Sequence, residues 1–350
     1  MLRTGLYSYR KEAFRGFTLF APMRGNKVFL IDMNGDVVHT WQLPSEVGTY
    51  GELLPNGNLL YASRTSDAKL RCFDGSSGSI IEVDHNSNLI WKYEDHYLHH
   101  GFSRLPNGNT IVLRWTRTPI EIAKKLKGGI PHTEKDGAIW SDTICEINSS
   151  GKKVWEWKAY ESLNPDAFAI CPLCFRSQWG EANHVKTTIE GDIIVGFKRI
   201  SKIVQINKAT KEIEWCFGEW PEIVHLHDFS ILENGNLLVF EAGSHVIGYE
   251  TSRSQILEFD LKTGELLWQY LETNAVDFFS GSSGSCQLLP NHNILICEGD
   301  HGRIFEINRN SEIVWEYVNP YYHDDSRLGR NNMVANAQRY ASDYEGLIFM

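Results

Sequence analysis

The chain has 350 residues, of which 42% are apolar and 22% charged, and its formal net charge is −10 at pH 7. This composition is that of an ordinary globular protein. The negative charge argues against nucleic acid as a partner, because phosphate binding needs a basic surface. A small anionic ligand stays compatible with it, since a local basic pocket can hold one.

The N-terminal segment, MLRTGLYSYRKEAFRGFTLF, has neither the uninterrupted apolar stretch nor the cleavage site of a signal peptide. We therefore expect a cytoplasmic protein, with a periplasmic one as the alternative if the sequence is that of a mature chain. No apolar stretch reaches the length of a membrane span, so no membrane partner is expected. The seven cysteines, an odd number, are expected to be free thiols in a reducing compartment.

Two sequence patterns alternate along the chain. The first, an apolar run followed by a turn and an aromatic residue, occurs six times, from VFLIDMNGDVVHTW at Val28 to IFEINRNSEIVWEY at Ile304. The second lies between these copies and is a hairpin on a Gly or Asn turn, as in SRLPNGNTIVL and SILENGNLLVF. Each unit is therefore two hairpins, and a four-stranded unit that recurs roughly every 50 residues is typical of a β-propeller.

The repeats form five complete units and one incomplete N-terminal piece, FTLFAPMRGNKVFLID. We predict an all-β fold, a six-bladed propeller of four-stranded antiparallel blades that forms one domain over residues 1–350. The C-terminal segment 321–350 is expected to supply the missing inner strand, so that both chain ends close the ring. An insertion, residues 115–141, interrupts the second unit and contains a short helical stretch near 119–127. It is interpreted as a solvated loop or as a lid.

Titratable side chains gather where the inner strands of three consecutive units begin. In a propeller these strands line the central channel, and their starts lie at one rim. His100 and His227 occupy the same position relative to their Asn-Gly turns. We expect one channel mouth to collect the following residues: His99, His100, Glu181, Asn183, His184, His225, His227 and Asp228.

Motifs such as HHGFSRLPNGNTIVL, HLHDFSILENGNLLVFEAG and SGSCQLLPNHNILICEGDHGRIFEINRNSEIVWEYVNP resemble those of the arylsulfotransferase family. These bacterial enzymes move a sulfuryl group between phenols without a nucleotide donor. The resemblance covers nearly the whole chain and implies a six-bladed propeller, no cofactor, and a small aromatic or anionic substrate. It implies that His227 attacks the sulfur and that His100 binds sulfate oxygens or assists proton transfer. Asp228, next to His227, is expected to fix the tautomer of the nucleophile.

In the third unit, the family pattern His-x-Asn-Ser corresponds to Glu181, Ala182, Asn183 and His184. The resemblance implies substrate contacts from Glu181, Asn183, His184 and His225, and from Lys198 or Arg199 where the family has an arginine. Neighbouring strand residues face opposite sides, so we expect one of these two cations to enter the channel. A carboxylate at Glu181 would repel a sulfate unless it is protonated or paired.

Two other functions stay open. His100, Glu181 and His227 form a two-histidine, one-carboxylate set of the kind that holds a divalent metal, which would favour hydrolytic, lyase or oxidative chemistry. A propeller that binds a ligand or a protein without catalysis is the other, since a fold does not determine activity. Cys171 and Cys174 form a single C-x-x-C pair, a weak zinc signal, and are expected to be two thiols in a structural loop.

Overall fold

Six small antiparallel sheets arranged in a ring make up the fold. The computed structural model describes residues 3–219, 223–246, 251–325 and 329–349. Within them the chain is almost entirely β, and the predicted six-bladed propeller is confirmed. The innermost strands of neighbouring blades contact one another around the ring. No helix of the described residues is both long and apolar enough to cross a membrane.

Each blade is named here by its order in the chain, and its strands run from the channel outward. Blade 1 comprises Glu46–Leu53, Leu59–Arg64, Gly78–Val83 and Leu89–Glu94. Blade 2 comprises Leu98–Arg104, Thr110–Arg117, Trp140–Ile147 and Lys153–Lys158. Blade 3 comprises Ala182–Thr187, Ile193–Phe197, Lys202–Ile206 and Ile213–Phe217. Blade 4 comprises Leu226–Ile231, Asn236–Glu241, Gln255–Asp260 and Leu266–Tyr270. Blade 5 comprises Gly284–Leu288, Ile294–Glu298, Arg303–Ile307 and Ile313–Val318.

Blade 6 is built from both ends of the chain, as predicted. Its innermost strand, Val334–Ala341, pairs with Gly16–Pro22, and Lys27–Ile31 and Val37–Gln42 follow outward. The sequence did not predict that Gly5–Tyr9 adds a fifth, outermost strand to blade 5. This strand pairs with a distant segment and is joined to it by no hairpin turn, so the local pattern carries no signal for it.

The repeated tryptophans and asparagines that revealed the period have a structural role. Outer-strand tryptophans donate their indole N–H to a main-chain carbonyl of the next blade: Trp91 to Ser149, Trp155 to Lys208, Trp268 to Arg309 and Trp315 to Met33. The second Asn of the inner hairpin turn donates to a glutamate on the third strand, as Asn58 does to Glu82 and Asn236 to Glu258. The pattern therefore repeats because it joins strands and blades.

The insertion in blade 2 is anchored rather than free. Its helix, Ile120–Ala123, ends earlier than the predicted stretch near 119–127. Gly128–Ile130 then pairs in parallel with Ile170–Phe175, which leads to blade 3. Cys171 and Cys174 lie on this second strand, so the prediction of a loop for them was wrong. The main-chain hydrogen bonds of a parallel partner, which no local pattern indicates, give the segment its extended form.

The remaining elements are short and lie between or after the blades. They are the helix Ala159–Ser162, the 3-10 turns Ala275–Asp277, Gly299–His301 and Glu345–Leu347, a two-residue strand Gln178–Trp179 beside Trp140–Ile147, and the hairpin of His323–Asp325 with Gly329–Asn331. All seven cysteines are free, as expected.

Candidate functional site

A cavity of about 280 Å³ lies at one mouth of the central channel. All six blades contribute to it near the start of their inner strands, with Tyr50, His100, Asn183, His184, His227, Gly284 and Ala335 among the lining residues. Loops add Arg24 and Asp74, and the ends of two further strands add Arg64 and Asp325. A second cavity of about 400 Å³ shares Tyr50, His184 and Asn336 with the first and is lined by residues farther along the same strands.

Three side chains reach the cavity because their strands bulge. Pairing with the neighbouring strand skips His100 in blade 2, Asn183 in blade 3 and His227 in blade 4. A bulge inserts an extra residue and so re-aims a side chain that strict alternation would place on a blade face. His100, Asn183 and His227 thus occupy equivalent places around the channel.

His227 presents one ring nitrogen to the cavity. Its Nδ1 donates to the carbonyl oxygen of Gly284 at 2.8 Å, which leaves the lone pair on Nε2. Burial, with the positive charge of Lys198 as the next cause, lowers the pKa of His227 to about 4. The imidazole is therefore neutral at pH 7 and has the protonation state of a nucleophile.

His100 ends a buried chain of polar groups. Its Nδ1 lies 3.0 Å from Nδ1 of His99, whose ring stacks on Trp115 at a centroid distance of 3.9 Å. Nε2 of His99 lies 3.4 Å from a carboxylate oxygen of Asp142. Burial lowers the pKa of His100 to about 4, so this ring is also neutral at pH 7.

Asn183 is a buried polar group of the cavity whose whole amide lacks a partner. It is 5% exposed and lines the cavity, and among the described residues neither its amide nitrogen nor its amide oxygen has a hydrogen-bond partner. Leaving a buried polar group unsatisfied costs about 1–3 kcal/mol. Because this amide also lines the cavity, a ligand oxygen is a natural acceptor for its NH2 group.

Glu181 lies behind His100, 4.0 Å from its Nε2, and is 2% exposed. Arg199 donates to its carboxylate, and Nζ of Lys198 is 3.9 Å away. Burial alone would raise the pKa of Glu181, but Arg199 and Lys198 outweigh it and hold the pKa well below its usual range. The carboxylate is ionised and paired, so the repulsion of sulfate considered from the sequence is offset by two cations.

Two sequence-based roles, those of Asp228 and His225, are corrected by these contacts, and Arg199 is the one of the two candidate cations that does not enter the cavity. Asp228 does not orient His227: its carboxylate accepts from the main-chain N–H of Cys286 and lies 3.3 Å from Nδ1 of His184, while the carbonyl of Gly284 orients the nucleophile. Arg199 is bound to Glu181 and to Gln178 instead of pointing at the cavity.

His225 is the second correction. Its ring is directed at Cys174, away from the substrate position that the sequence suggested. The physical reason is again the bulge, because His225 has the left-handed backbone conformation at φ 55° and precedes it. Glu181 is its counterpart in blade 3, also at positive φ. The alternation of strand side chains between the two faces is therefore interrupted at Glu181 and His225, so their orientation could not be inferred from it.

Lys198 is a cation whose charge acts on both histidines. Its Nζ lies 3.4 Å from the carbonyl oxygen of Ser282, a lining residue, and its charge lowers the pKa of His100 and of His227. Sequence reasoning missed Arg24, Arg64 and Gly284, which also line the cavity. They come from a loop, from the end of the second strand of blade 1 and from a Gly/Ser segment, where no repeat pattern points to a site.

The metal set considered from the sequence is not favoured by the geometry. Arg199 already occupies the carboxylate of Glu181, and a divalent ion beside two cations would be repelled. In the described part of the chain, four other side chains could together hold a metal ion, because their donor atoms all lie within 4.8 Å of one another. They are Cys171, Cys174, His225 and His245. His245 carried no signal in the sequence, since it lies outside the inner strands.

Comparison with known proteins agrees with the fold and identifies a family match. The model of the family described as arylsulfotransferase (ASST) matches residues 52–320. A solved structure of a protein of unknown function from Bacteroides caccae is similar with a TM-score of 0.56 at 14% identity, covering 93% of this chain and 98% of that one. A streptogramin B lyase structure has a TM-score of 0.50 at 10% identity, covering 96% and 97%. These likenesses concern the fold alone. No curated protein matches the chain significantly.

Proposed function

Because the chain belongs to the arylsulfotransferase family, we propose that it transfers a sulfuryl group from an aryl sulfate to a phenol, with His227 as the covalent carrier. The observation that carries this proposal is the state of His227: its Nδ1–H is held by the Gly284 carbonyl, and its neutral Nε2 is left for the cavity. In the same cavity, the amide of Asn183 has no hydrogen-bond partner in the described ranges of the chain.

In the first step, Nε2 of His227 attacks the sulfur of the aryl sulfate. An N–S bond forms, the S–O bond to the aryl group breaks, and the electron pair of that bond leaves with the phenolate. The imidazole becomes positively charged, and the hydrogen bond to Gly284 stabilises this charge. The amide of Asn183 donates to an oxygen of the sulfuryl group, and Lys198 provides positive charge nearby.

In the second step, the oxygen of an acceptor phenol attacks the same sulfur, and the N–S bond breaks to restore neutral His227. The phenol loses its proton and the first phenolate gains one, so that the sum of the two steps needs no co-reactant.

His100 is suited to carry that proton. Its ring lines the cavity and is neutral at pH 7, so a ring nitrogen can accept the proton that the acceptor phenol loses.

The test compares three histidine variants in donor and acceptor assays with para-nitrophenyl sulfate and phenol. His227→Ala should lose turnover by several orders of magnitude, as expected for an essential nucleophile. His100→Ala should slow transfer yet still form the covalent intermediate. His96→Ala removes an exposed histidine that pairs with Asp67 and should leave turnover unchanged. Near-normal turnover in His227→Ala would contradict the proposal.

A further inference from the structure

We propose that Cys171, Cys174, His225 and His245 bind a zinc ion that braces the rim of the propeller beside the cavity. The inference concerns a separate group of residues and does not depend on the proposed reaction. Their four donor atoms all lie within 4.8 Å of one another. They come from the segment before blade 3, the start of blade 4 and the loop after the second strand of blade 4, so a bound ion would join three segments distant in sequence.

The separations of the donor atoms match a tetrahedral ion. Sγ of Cys174 lies 3.4 Å from Nε2 of His225 and 3.5 Å from Nδ1 of His245, and Sγ of Cys171 lies 3.7 Å from that same Nδ1. Zinc–sulfur bonds of about 2.3 Å and zinc–nitrogen bonds of about 2.0–2.1 Å place tetrahedral ligands about 3.6 Å apart. The side chains therefore already have the mutual spacing that a central ion imposes.

The surroundings of His225 prepare its Nε2 as a ligand. Its Nδ1 lies 2.8 Å from Oγ of Ser244, and that hydroxyl donates to the carbonyl of Gly281 at 3.3 Å. Since the hydroxyl proton of Ser244 is already donated to Gly281, Oγ accepts a hydrogen bond from Nδ1–H of His225. The lone pair of the neutral ring is then on Nε2. Such an outer hydrogen bond fixes the tautomer of most metal-bound histidines.

The donor set selects the metal and its role. Two thiolates and two imidazoles in a tetrahedron are typical of zinc, whereas oxygen ligands would favour magnesium or calcium. Four protein ligands leave no open position for a substrate, so the ion would be structural. Cys171, Cys174 and His225 are buried and His245 is partly exposed, which keeps water from the centre.

The ion would act on the reaction cavity through Arg199. The N–H of Cys171 donates to the main-chain carbonyl of Arg199 at 2.8 Å, and the guanidinium of Arg199 donates to the carbonyl of Phe175 at 3.4 Å. The same guanidinium holds Glu181 behind His100. Fixing the strand that carries the two cysteines therefore fixes both ends of Arg199.

The test begins with elemental analysis of the full chain purified under reducing conditions with zinc in the growth medium. We expect close to one zinc ion per chain. His245→Ala should lower zinc affinity by roughly 100-fold or more, because loss of an outer partner alone costs 10–100-fold. His292→Ala is the matched control, since it removes an exposed histidine with nearly the same φ, 66° against 67°. Cys72→Ser, at an exposed cysteine, controls for general loss of a thiol.

The visible spectrum of the unmodified chain with Co²⁺ in place of Zn²⁺ tests the site without any substitution, so the test does not depend on whether a variant folds. Co²⁺ should give the intense visible bands of a tetrahedral ion and a thiolate charge-transfer band. Weak bands of an octahedral ion, a zinc-free protein with a Cys171–Cys174 disulfide, or full zinc retention in His245→Ala and Cys174→Ser would each overturn the proposal.

Discussion

At the scale of single residues, the cavity contains a nucleophile whose Nδ1 is hydrogen-bonded and a buried amide that has no hydrogen-bond partner among the described residues. His227 has its Nδ1 fixed by Gly284, while both polar atoms of the buried Asn183 side chain lack a hydrogen-bond partner within the part of the chain that the structure describes. A folded protein gains no stability from such an amide. Burying the amide costs desolvation free energy, and a ligand that supplies an acceptor offsets this cost. A binding group differs in this way from a structural group, which is already hydrogen-bonded in the free protein.

Replacing Asn183 with Ala should separate activity from stability. We expect the rate of sulfuryl transfer to fall by about 100-fold or more, the usual loss when one donor to a developing charge is removed. The melting temperature should stay level or rise, because an unsatisfied buried amide is removed. Asn86→Ala, at an exposed turn, is the control. A lower melting temperature with unchanged turnover would assign Asn183 to the fold instead.

The lowered pKa of His227 predicts an unusual pH profile. Protonation removes the nucleophilic lone pair, so the rate of phenol release in a single turnover should stay level down to about pH 5 and fall as pH drops through the folded-state pKa of about 4. An ordinary histidine would have lost half its rate near pH 6.5. Chromatographic quantification of released para-nitrophenol measures this rate. A half-maximal rate near pH 6.5 would show that the imidazole is not desolvated as described.

At the scale of elements, the repeated residues in the turns and outer strands are structural, whereas the residues at the start of each inner strand line the cavity. Blade 3 departs from its neighbours by placing Glu181 behind His100 and binding it with Arg199, which follows the second strand of the same blade. The pair is almost fully enclosed. Burying two charges brings little net stability, but removing Arg199 takes away the cation that donates to the buried carboxylate and leaves only Lys198, at 3.9 Å, near it.

Arg199→Met should therefore lower the free energy of unfolding by about 3 kcal/mol. The double variant Glu181→Gln, Arg199→Met should lose less, since the buried carboxylate that Arg199 pairs with is neutralised together with it. Urea denaturation measures both. Lys153→Met breaks a more exposed pair with Glu156 and should cost less than about 1 kcal/mol. Equal losses in the single and double variants would mean that the pairing is not what stabilises this rim.

How far the sequence predicts the site depends on the bulges. His100 and His227 could be matched because both stand at a fixed distance before an Asn-Gly turn. The bulges themselves leave no local signal, and they decide that Asn183 faces the cavity while Glu181 and His225 face away from it. Gly284 acts through its carbonyl oxygen, which every residue type possesses, so no sequence pattern could single it out.

At the scale of the whole molecule, one strand from the C-terminus holds the ring closed. Val334–Ala341 pairs with Gly16–Pro22, and Arg339 forms an ion pair with Glu306 of blade 5 at 3.3 Å, both side chains being fully buried. This architecture was predictable because a period that runs through the chain leaves one incomplete unit at its start. The outermost strand Gly5–Tyr9 was not, since it has no repeat partner.

Deleting residues 334–350 should abolish cooperative unfolding, because the edge of Gly16–Pro22 and the core beneath it become exposed. Thermal melts followed by circular dichroism measure this. The matched control lacks residues 1–9 and so loses the strand outside blade 5; it should still melt cooperatively, at a somewhat lower temperature. If the C-terminal deletion melted near the full-length protein, closure by the two chain ends would not stabilise the ring.

Sulfuryl transfer through His227 is tested most directly by mass spectrometry of the protein quenched after a short pulse of para-nitrophenyl sulfate without acceptor. We expect the mass of one sulfuryl group on the peptide that contains His227, lost again when phenol is added before the quench. His100→Ala should retain this adduct and His227→Ala should lack it. An adduct on another residue, or phenol release from the donor without any adduct, would contradict the role of His227.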